Sequence, residues 1–290
     1  MAPRFSIVTP SFRQPAWLRL CAASIADQAG VTLEHLVQDA GSGPEMDAWA
    51  EQWKCARPPG SFSFISEKDA GMYDAVNRGL RRATGEICTY LNCDEQYLPG
   101  TLAEVDRFFT AHPEVDVLFG DSVVVDESGA YLCSRPVVRP TRFHTQICTL
   151  GILTAATFYR RRFIEEHGLY FDISYRANGD SAWVLDLLRQ RARTAVLRRF
   201  LAAFTDTGDN LITQPHAIAE QVRLRETAPR WAQCLAPLWV LQHRLRRLFA
   251  GVYFPKKLSY SIYTLTAPTE RRIFHVERPT FLWASRFAKK

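Results

Sequence analysis

Glu67-Lys-Asp-Ala-Gly-Met-Tyr-Asp-Ala-Val-Asn77 and, a little further on, Leu91-Asn-Cys-Asp-Glu-Gln96 bound the stretch whose reading decides the fold. A carboxylate-rich turn opens it, helical spacing follows over 75–83, and Gly85 stops the helix. Residues 86–91 read as a short buried strand with an abrupt polar end at Asn92. In open α/β sheets, ligands sit outside the carboxyl ends of strands, so Asp94 is aimed where a ligand would lie.

The beginning of the chain repeats this order. Phe5-Ser-Ile-Val-Thr9 is a β-rich run ended by Pro10-Ser-Phe12, and residues 15–28 carry Trp17, Leu20, Cys21, Ser24 and Ile25 at helical spacing. A second strand over 34–38 ends in Asp39-Ala-Gly-Ser-Gly43. Strand, helix, strand, helix, strand is the doubly wound α/β pattern.

Four of these segments in register resemble one family. Phe5-Ser-Ile-Val-Thr-Pro-Ser-Phe12, Asp39-Ala-Gly-Ser42, Ser66-Glu-Lys-Asp-Ala-Gly-Met-Tyr-Asp-Ala-Val-Asn-Arg-Gly79, and Ala83-Thr-Gly-Glu86 with Tyr90-Leu-Asn-Cys-Asp94 look like family 2 glycosyltransferases. The flavour is that of the colanic-acid-type bacterial surface-polysaccharide subgroup. The resemblance covers about residues 5–210 and implies a GT-A fold, a Rossmann-like mixed sheet flanked by helices. It implies an inverting transfer of sugar from a nucleoside-diphosphate sugar, with UDP favoured, to a glycan or lipid-linked acceptor. A catalytically degenerate relative that holds another transferase is the alternative.

Carried over residue by residue, the resemblance puts Thr9, Pro10 and Phe12 where the first strand opens onto the nucleotide, and Asp39 at the base edge. Glu67, Asp69 and Asn77 fall in the segment around the ribose and diphosphate. Asn92-Cys93-Asp94 takes the place of the metal-binding Asp-x-Asp, so Asp94 is the expected ligand to Mn²⁺ or Mg²⁺ and Glu95 its helper. The first Asp of that motif is Asn here. Hard divalent ions use one or two carboxylates together with substrate phosphates, which suits a diphosphate leaving group.

An inverting transfer also needs a base, a contribution of roughly 10²–10⁴-fold. Asp180 follows Tyr175-Arg-Ala-Asn-Gly and precedes an amphipathic helix over 181–191. Such an Asp is first of all an N-cap, but the family places its catalytic Asp in this loop. Capping and catalysis are compatible, because a helix N-terminus keeps a carboxylate ionised. The family's usual acidic pair is Gly179-Asp180 here. Asp74 reads equally as a cap or a ligand contact, and Asp121 and Asp126 as hairpin ends flanking 122–125. His144 and Gln146 either touch the acceptor or a phosphate or make structural hydrogen bonds. Residues 205–210 resemble a closing loop and are equally explained as a turn.

With 290 residues, 47% hydrophobic and 23% charged, the chain has room for a catalytic domain over 1–213 and an extension over 214–290. Seven cysteines without paired spacing point to a reducing compartment. No signal peptide or transmembrane run is expected, so the expected location is cytoplasmic. The extension holds fourteen Lys and Arg against four Glu, whereas the chain as a whole is +6. Aromatics and leucines interleave with those charges, which suits an interfacial helix on anionic lipid and a peripheral place on the inner membrane face. The alternative is a helix packed on the catalytic domain with a solvated basic face. Nucleic acid is not expected as a partner, because Asp39, Asp69 and Asp94 at strand ends would repel its backbone. A nucleotidyltransferase would want a glycine-rich loop where Pro10-Ser-Phe-Arg-Gln-Pro15 stands.

Overall fold

The computed structural model describes residues 2–208 and 215–283. Its first half alternates strand and helix: β1 (Phe5–Ser11), α1 (Pro15–Ala26), β2 (Leu33–Asp39), α2 (Pro44–Cys55), β3 (Phe62–Ser66), α3 (Met72–Arg82) and β4 (Ile87–Tyr90). β1 pairs in parallel with both β2 and β4, and β2 with β3. A parallel sheet needs both faces covered, and β1 meets that need by alternation. Phe5 and Ile7 pack with Cys21 and Ile25 of α1, while Val8 faces Val76 and Leu80 of α3. The helix comes so close that a Cβ at Gly79 would lie 2.3 Å from Val8 Cγ1.

The second half adds β5 (Glu95–Tyr97), α4 (Thr101–Ala111), β6 (Val117–Asp126), β7 (Tyr131–Arg135), α5 (Arg142–Ile147), a 3-10 turn (Thr154–Ala156), β8 (Thr157–Arg160), α6 (Arg161–His167), α7 (Gly179–Arg189) and β9 (Thr194–Asp206). The sheet runs β3-β2-β1-β4-β8-β6-β9-β5, with β7 beside β6. β8 is antiparallel to both β4 and β6, so the sheet is mixed. The expected hairpin end at Asp121 is not one: β6 runs through it without a break. Its register shifts against β9 there, and the Asp121 carboxylate accepts the Val137 N–H at 2.7 Å. Asp126 does end the strand, accepting the Ser128 and Ala130 N–H groups.

The C-terminal extension is helical over α8 (Pro215–Glu226), α9 (Arg230–Cys234) and α10 (Ala236–Phe249). A hairpin of β10 (Leu258–Thr264) and β11 (Ala267–Val276), which the sequence reading did not anticipate, follows the helices. It docks on the nine-stranded sheet: Gln96 exchanges hydrogen bonds with the Tyr263 backbone at 2.8 and 2.9 Å, and Arg271 reaches Asp27 at 2.6 Å. Tyr260, Ile262 and Val276 cluster with Val123, Val125 and Ala203. Among the described residues, no helix is long and apolar enough to cross a membrane.

Gly79→Ala should destabilise the protein by about 1–3 kcal/mol, the usual range for overpacking a filled core. Adding Val8→Ala to Gly79→Ala should recover part of that loss, as read by thermal melting. Equal melting of Gly79→Ala and the parent would mean that α3 can lift off β1 without cost.

Candidate active site

The loops that follow β1, β2 and β3 are knitted together by one carboxylate. Asp39 Oδ2 accepts the N–H groups of Gly41 and Ser42 at 3.0 and 2.7 Å and the Ser66 hydroxyl at 3.0 Å, while Oδ1 accepts the Ser42 hydroxyl at 2.5 Å. Backbone bonds from Ala40 to Ser11 and from Glu67 to Asp39 continue the seam, and the Arg13 N–H donates to Ser42 Oγ at 2.7 Å. Asp39 is fully buried. Its two oxygens are therefore engaged in shaping the loops.

Around this seam stand the more open groups. Phe12 is 53% exposed, with the Arg13 guanidinium 4.9 Å from its ring centre. Glu67 accepts from Gln38 at 3.1 Å and pairs with Arg78 at 3.0 Å. Asp69 accepts the Gly71 N–H at 2.9 Å, and burial, helped by the nearby charge of Asp74, raises its pKa. Burial also pulls Asp74 upward, but the Ala70 N–H and the Arg78 guanidinium outweigh it and hold Asp74 low. Asp74 thus closes the first turn of α3.

Thr9, Pro10 and Asn77, expected at the nucleotide, and Cys93 of the metal motif all lie inside the protein. The Thr9 hydroxyl lies 2.9 Å from His35 Nε2, and Pro10 is buried behind it. Asn77 donates to the Phe171 carbonyl and accepts the Phe171 N–H, each at 2.8 Å, which uses its amide on both sides. The Cys93 thiol donates to Gln14 Oε1 at 2.8 Å. Their polar atoms are satisfied by protein partners, so they shape the site from behind.

At the start of β5 two carboxyl groups sit on consecutive residues. Glu95 is buried and accepts the Asn92 N–H at 2.8 Å. Burial pushes Asp94 up to about 6, and raises Glu95 as well, with the neighbouring Asp94 charge adding to the effect. Asn92 Oδ1 is buried without any hydrogen-bond partner. An orphaned amide oxygen beside two carboxyl groups is a set of hard oxygen donors, the chemistry that Mg²⁺ and Mn²⁺ prefer. Among the described residues, no group of three or more His, Cys, Asp or Glu forms a closed cage. The donor set fits an ion whose remaining ligands come from a bound diphosphate and water.

Asp180 is not the cap of α7. Asn178 holds that position, and Asp180 lies within the first turn. Its Oδ1 instead accepts hydrogen bonds from the Tyr73 hydroxyl at 2.8 Å and the Tyr90 hydroxyl at 2.9 Å, and Tyr90 is 2.8 Å from Thr154 Oγ1. Burial raises the Asp180 pKa, and the hydroxyls of Tyr73, Tyr90 and Thr154 pull it back. Tyr73 is itself set by stacking: its ring lies 5.4 Å from Phe171, which lies 5.0 Å from Trp183. A Cβ at position 179 would fall 2.5 Å from Tyr73 Cε2. Glycine stands there because the tyrosine ring fills the space.

The loop before Asp180 is latched from the extension. Glu220 of α8 accepts the N–H groups of Arg176, Ala177 and Asn178 at 2.6, 2.9 and 2.8 Å, and Asn178 donates to the Ala217 carbonyl at 2.7 Å. Sequence reasoning missed Tyr73, Tyr90, Thr154 and Glu220. The tyrosines stood inside the motifs already quoted, but nothing in the local sequence marks Glu220. His144 stacks on His243, and Gln146 donates to Thr227 at 2.8 Å. Of the expected closing loop, Thr205 and Asp206 finish β9, and residues 209 and 210 lie outside the described residues, as does the basic end at 287–290.

Comparison with known proteins gives this arrangement a lineage. Residues 6–168 match the family described as glycosyl transferase family 2. A PGL/p-HBAD biosynthesis glycosyltransferase of Mycobacterium bovis is 33% identical over 185 residues, covering 62% of this chain and 67% of its own length. The O-antigen biosynthesis protein RfbC of Myxococcus xanthus is 29% identical over 140 residues, 48% of this chain and 11% of that protein. Two solved structures share the fold. Residues 1–349 of S. aureus TarS in complex with UDP-GlcNAc superpose with a TM-score of 0.60 at 17% identity, covering 85% of this chain and 73% of that one. The mannosyltransferase PcManGT from Pyrobaculum calidifontis, with GDP-Man and Mn²⁺, gives 0.55 at 18% identity, with 88% and 82% covered. The chain spans 45% of the longer TarS structure. The mixed sheet is that of the GT-A fold.

Hydrogen bonds to a charged group are worth roughly 1.5–3 kcal/mol each. Glu220→Gln should therefore speed amide exchange at 176–178 by tenfold or more while the global melting temperature moves little. Unchanged exchange at those amides would show that the loop is held by other contacts.

Proposed function

The chain belongs to glycosyl transferase family 2, and from that premise we propose that it moves one sugar from a nucleoside-diphosphate sugar to an acceptor hydroxyl with inversion. The product is a bacterial cell-surface glycan or its lipid-linked precursor, in keeping with the resemblance to the colanic-acid-type subgroup. The observation that carries this reading is Asp180: a single acid, partly buried, with a raised pKa and one oxygen anchored by two tyrosines. A base works best when its pKa lies near the operating pH. Burial moves Asp180 in that direction, and the tyrosines keep it in one rotamer.

In this reaction Asp180 takes the proton of the acceptor hydroxyl as that oxygen bonds to the anomeric carbon. The bond from the anomeric carbon to the diphosphate breaks, and the nucleoside diphosphate leaves with the electron pair. Attack opposite to the leaving group inverts the centre. The loops held by Asp39, with Phe12, Glu67 and Asp69 at their rim, form the nucleotide side, and Thr9, Pro10, Asn77 and Cys93 support them from within. A divalent ion, Mg²⁺ or Mn²⁺, would be held by Asp94 with Glu95 and Asn92 beside it, and would supply positive charge to the leaving diphosphate. The UDP-GlcNAc of TarS and the GDP-Man and Mn²⁺ of PcManGT support a nucleotide-sugar donor and a metal. Of the two bases, UDP is favoured by the resemblance.

Residues 1–213 would be the catalytic domain and 214–290 an extension that serves the inner membrane face. Leu238, Leu241, Leu245, Leu248 and Phe249 of α10 are all exposed, and Arg244 is exposed among them. Their spacing makes one apolar stripe on the helix, the pattern of a segment lying in a lipid interface.

Asp180→Asn should leave donor binding intact while lowering transfer by at least 10²-fold, and Asp94→Ala should weaken metal-dependent nucleotide binding in calorimetry. Normal turnover of Asp180→Asn would remove it from the mechanism. The tyrosine hydroxyls stabilise the ionised carboxylate, so Tyr73→Phe should raise the pKa of the base. The acid limb of kcat/KM should then move to higher pH, and a limb that stays in place would assign it to another group.

A further inference from the structure

Arg246 Nη1 and Arg247 Nε, on α10, are buried and make no hydrogen bond. They belong to a cluster. His243, on the same side of the helix, stacks on His144 of α5 with ring centres 3.8 Å apart and planes at 11°. Arg135 ends β7, and Arg139 follows it in the loop to α5. Among the described residues, no ion pair or hydrogen bond reaches the side chain of Arg135, Arg139, Arg246 or Arg247. Asp121, on the neighbouring stretch of β6, is taken by the Val137 N–H and by Arg198 at 3.6 Å. Aromatic rings hold the guanidinium groups in place: the Arg247 Cζ lies 5.3 Å from Tyr253 and 5.7 Å from Phe281, and that of Arg135 lies 5.7 Å from Trp283.

The electrostatics agree with the geometry. His243 is pushed down to about 4 by burial and then by His144, Arg247, Arg246 and Arg135. His144 is lowered by burial and by the same two α10 arginines. Both histidines are thus biased toward the neutral form, whereas arginine keeps its charge. A buried charge without a partner is costly, and breaking its pairing costs several kcal/mol. A chain that gathers arginines without a carboxylate is arranged for an anion that arrives from outside. Guanidinium forks match phosphoryl oxygens in particular.

We propose that the guanidinium cluster between the inner face of α10, the end of β7 and α5 binds a phosphoryl group, borne by the acceptor of the transfer. The leucine stripe lies on the opposite face of the same helix, so one face would meet lipid while the other holds the phosphate. The placement beside the acceptor rests on the reading of Asp180 given above; the anion site itself does not. A Cβ at Gly151 would lie 3.2 Å from His243 Cε1, and Thr154, close to the Tyr90–Asp180 pair, follows three residues later. Three residues span at most about 10–11 Å. The short segment 151–154 thus joins the arginine cluster to the Tyr90–Asp180 pair.

The test uses the full chain carrying Asp94→Ala, in chelator, so that the donor site does not bind. Inorganic pyrophosphate is titrated by calorimetry and by thermal shift into this protein and into the same protein with Arg246→Gln/Arg247→Gln. The first should bind and gain melting temperature; the second should lose at least tenfold in affinity. Without ligand it should melt no lower than its parent, because it sheds uncompensated charge. Arg246→Lys/Arg247→Lys, which keeps the charge and loses the fork, should bind with intermediate affinity. Absence of pyrophosphate binding, or equal affinity in the double Gln variant, overturns the proposal. Flotation on vesicles with and without phosphatidylglycerol then identifies the source. Anionic-vesicle binding lost in the double Gln variant assigns the phosphoryl group to a lipid headgroup, and binding retained there assigns it to a phosphorylated acceptor molecule. The titration needs neither donor nor turnover, so its failure is separate from failure of the transferase reading.

Discussion

A carboxylate withdrawn from water has to be given hydrogen bonds, and the arrangement around Asp180 answers that demand. Tyr73 comes from α3 and Tyr90 from β4, so Asp180 is tied to the half of the sheet that carries the loops around Asp39. Phe171 and Trp183 stack behind Tyr73, and Asn77 locks Phe171 by its backbone. The ring leaves no room for a side chain at 179, which accounts for the glycine there. One requirement, hydrogen bonds for a partly buried carboxylate, therefore explains residues spread over more than a hundred positions of sequence.

The same requirement governs the carboxyl ends of β2 and β4. Asp39 has four donors and organises three loops, whereas Asn92 Oδ1 has none and Asp94 and Glu95 are pushed upward by burial. A fully bonded acid supports structure, and an under-bonded set keeps oxygen donors open. The division by charge along the chain follows the same logic. The acidic half gathers oxygen donors at strand ends, and α10 of the basic half brings together guanidinium groups that, among the described residues, meet no carboxylate. Each cluster is incomplete by itself.

The extension is more closely joined to the rest than its composition suggests. Glu220 of α8 grips the three amides before α7, and the β10–β11 hairpin rests on β5, β6 and β9. α10, in contrast, keeps its leucines in solvent. Within one basic segment, then, some residues are packed on the catalytic sheet and others remain exposed. Charge and aromatic content do not separate the two.

Periodicity and strand-end chemistry were enough to establish the alternating first half and the edge of the sheet where Asp39 and Asp94 stand, because those signals are local. The sequence alone also identified the family, since its motifs occur in order along a single stretch. What it missed depended on distant partners. Thr9 and Asn77 lie in the right motifs, yet their side chains turn to His35 and Phe171, contacts made across the fold. Asp121 stays in mid-strand because β9 and Val137 receive it. Glu220, the hairpin and the partnerless arginines of α10 carry no local signature. Backbone preference and hydrophobic spacing act between near neighbours, whereas the satisfaction of buried charge is decided only when remote segments meet.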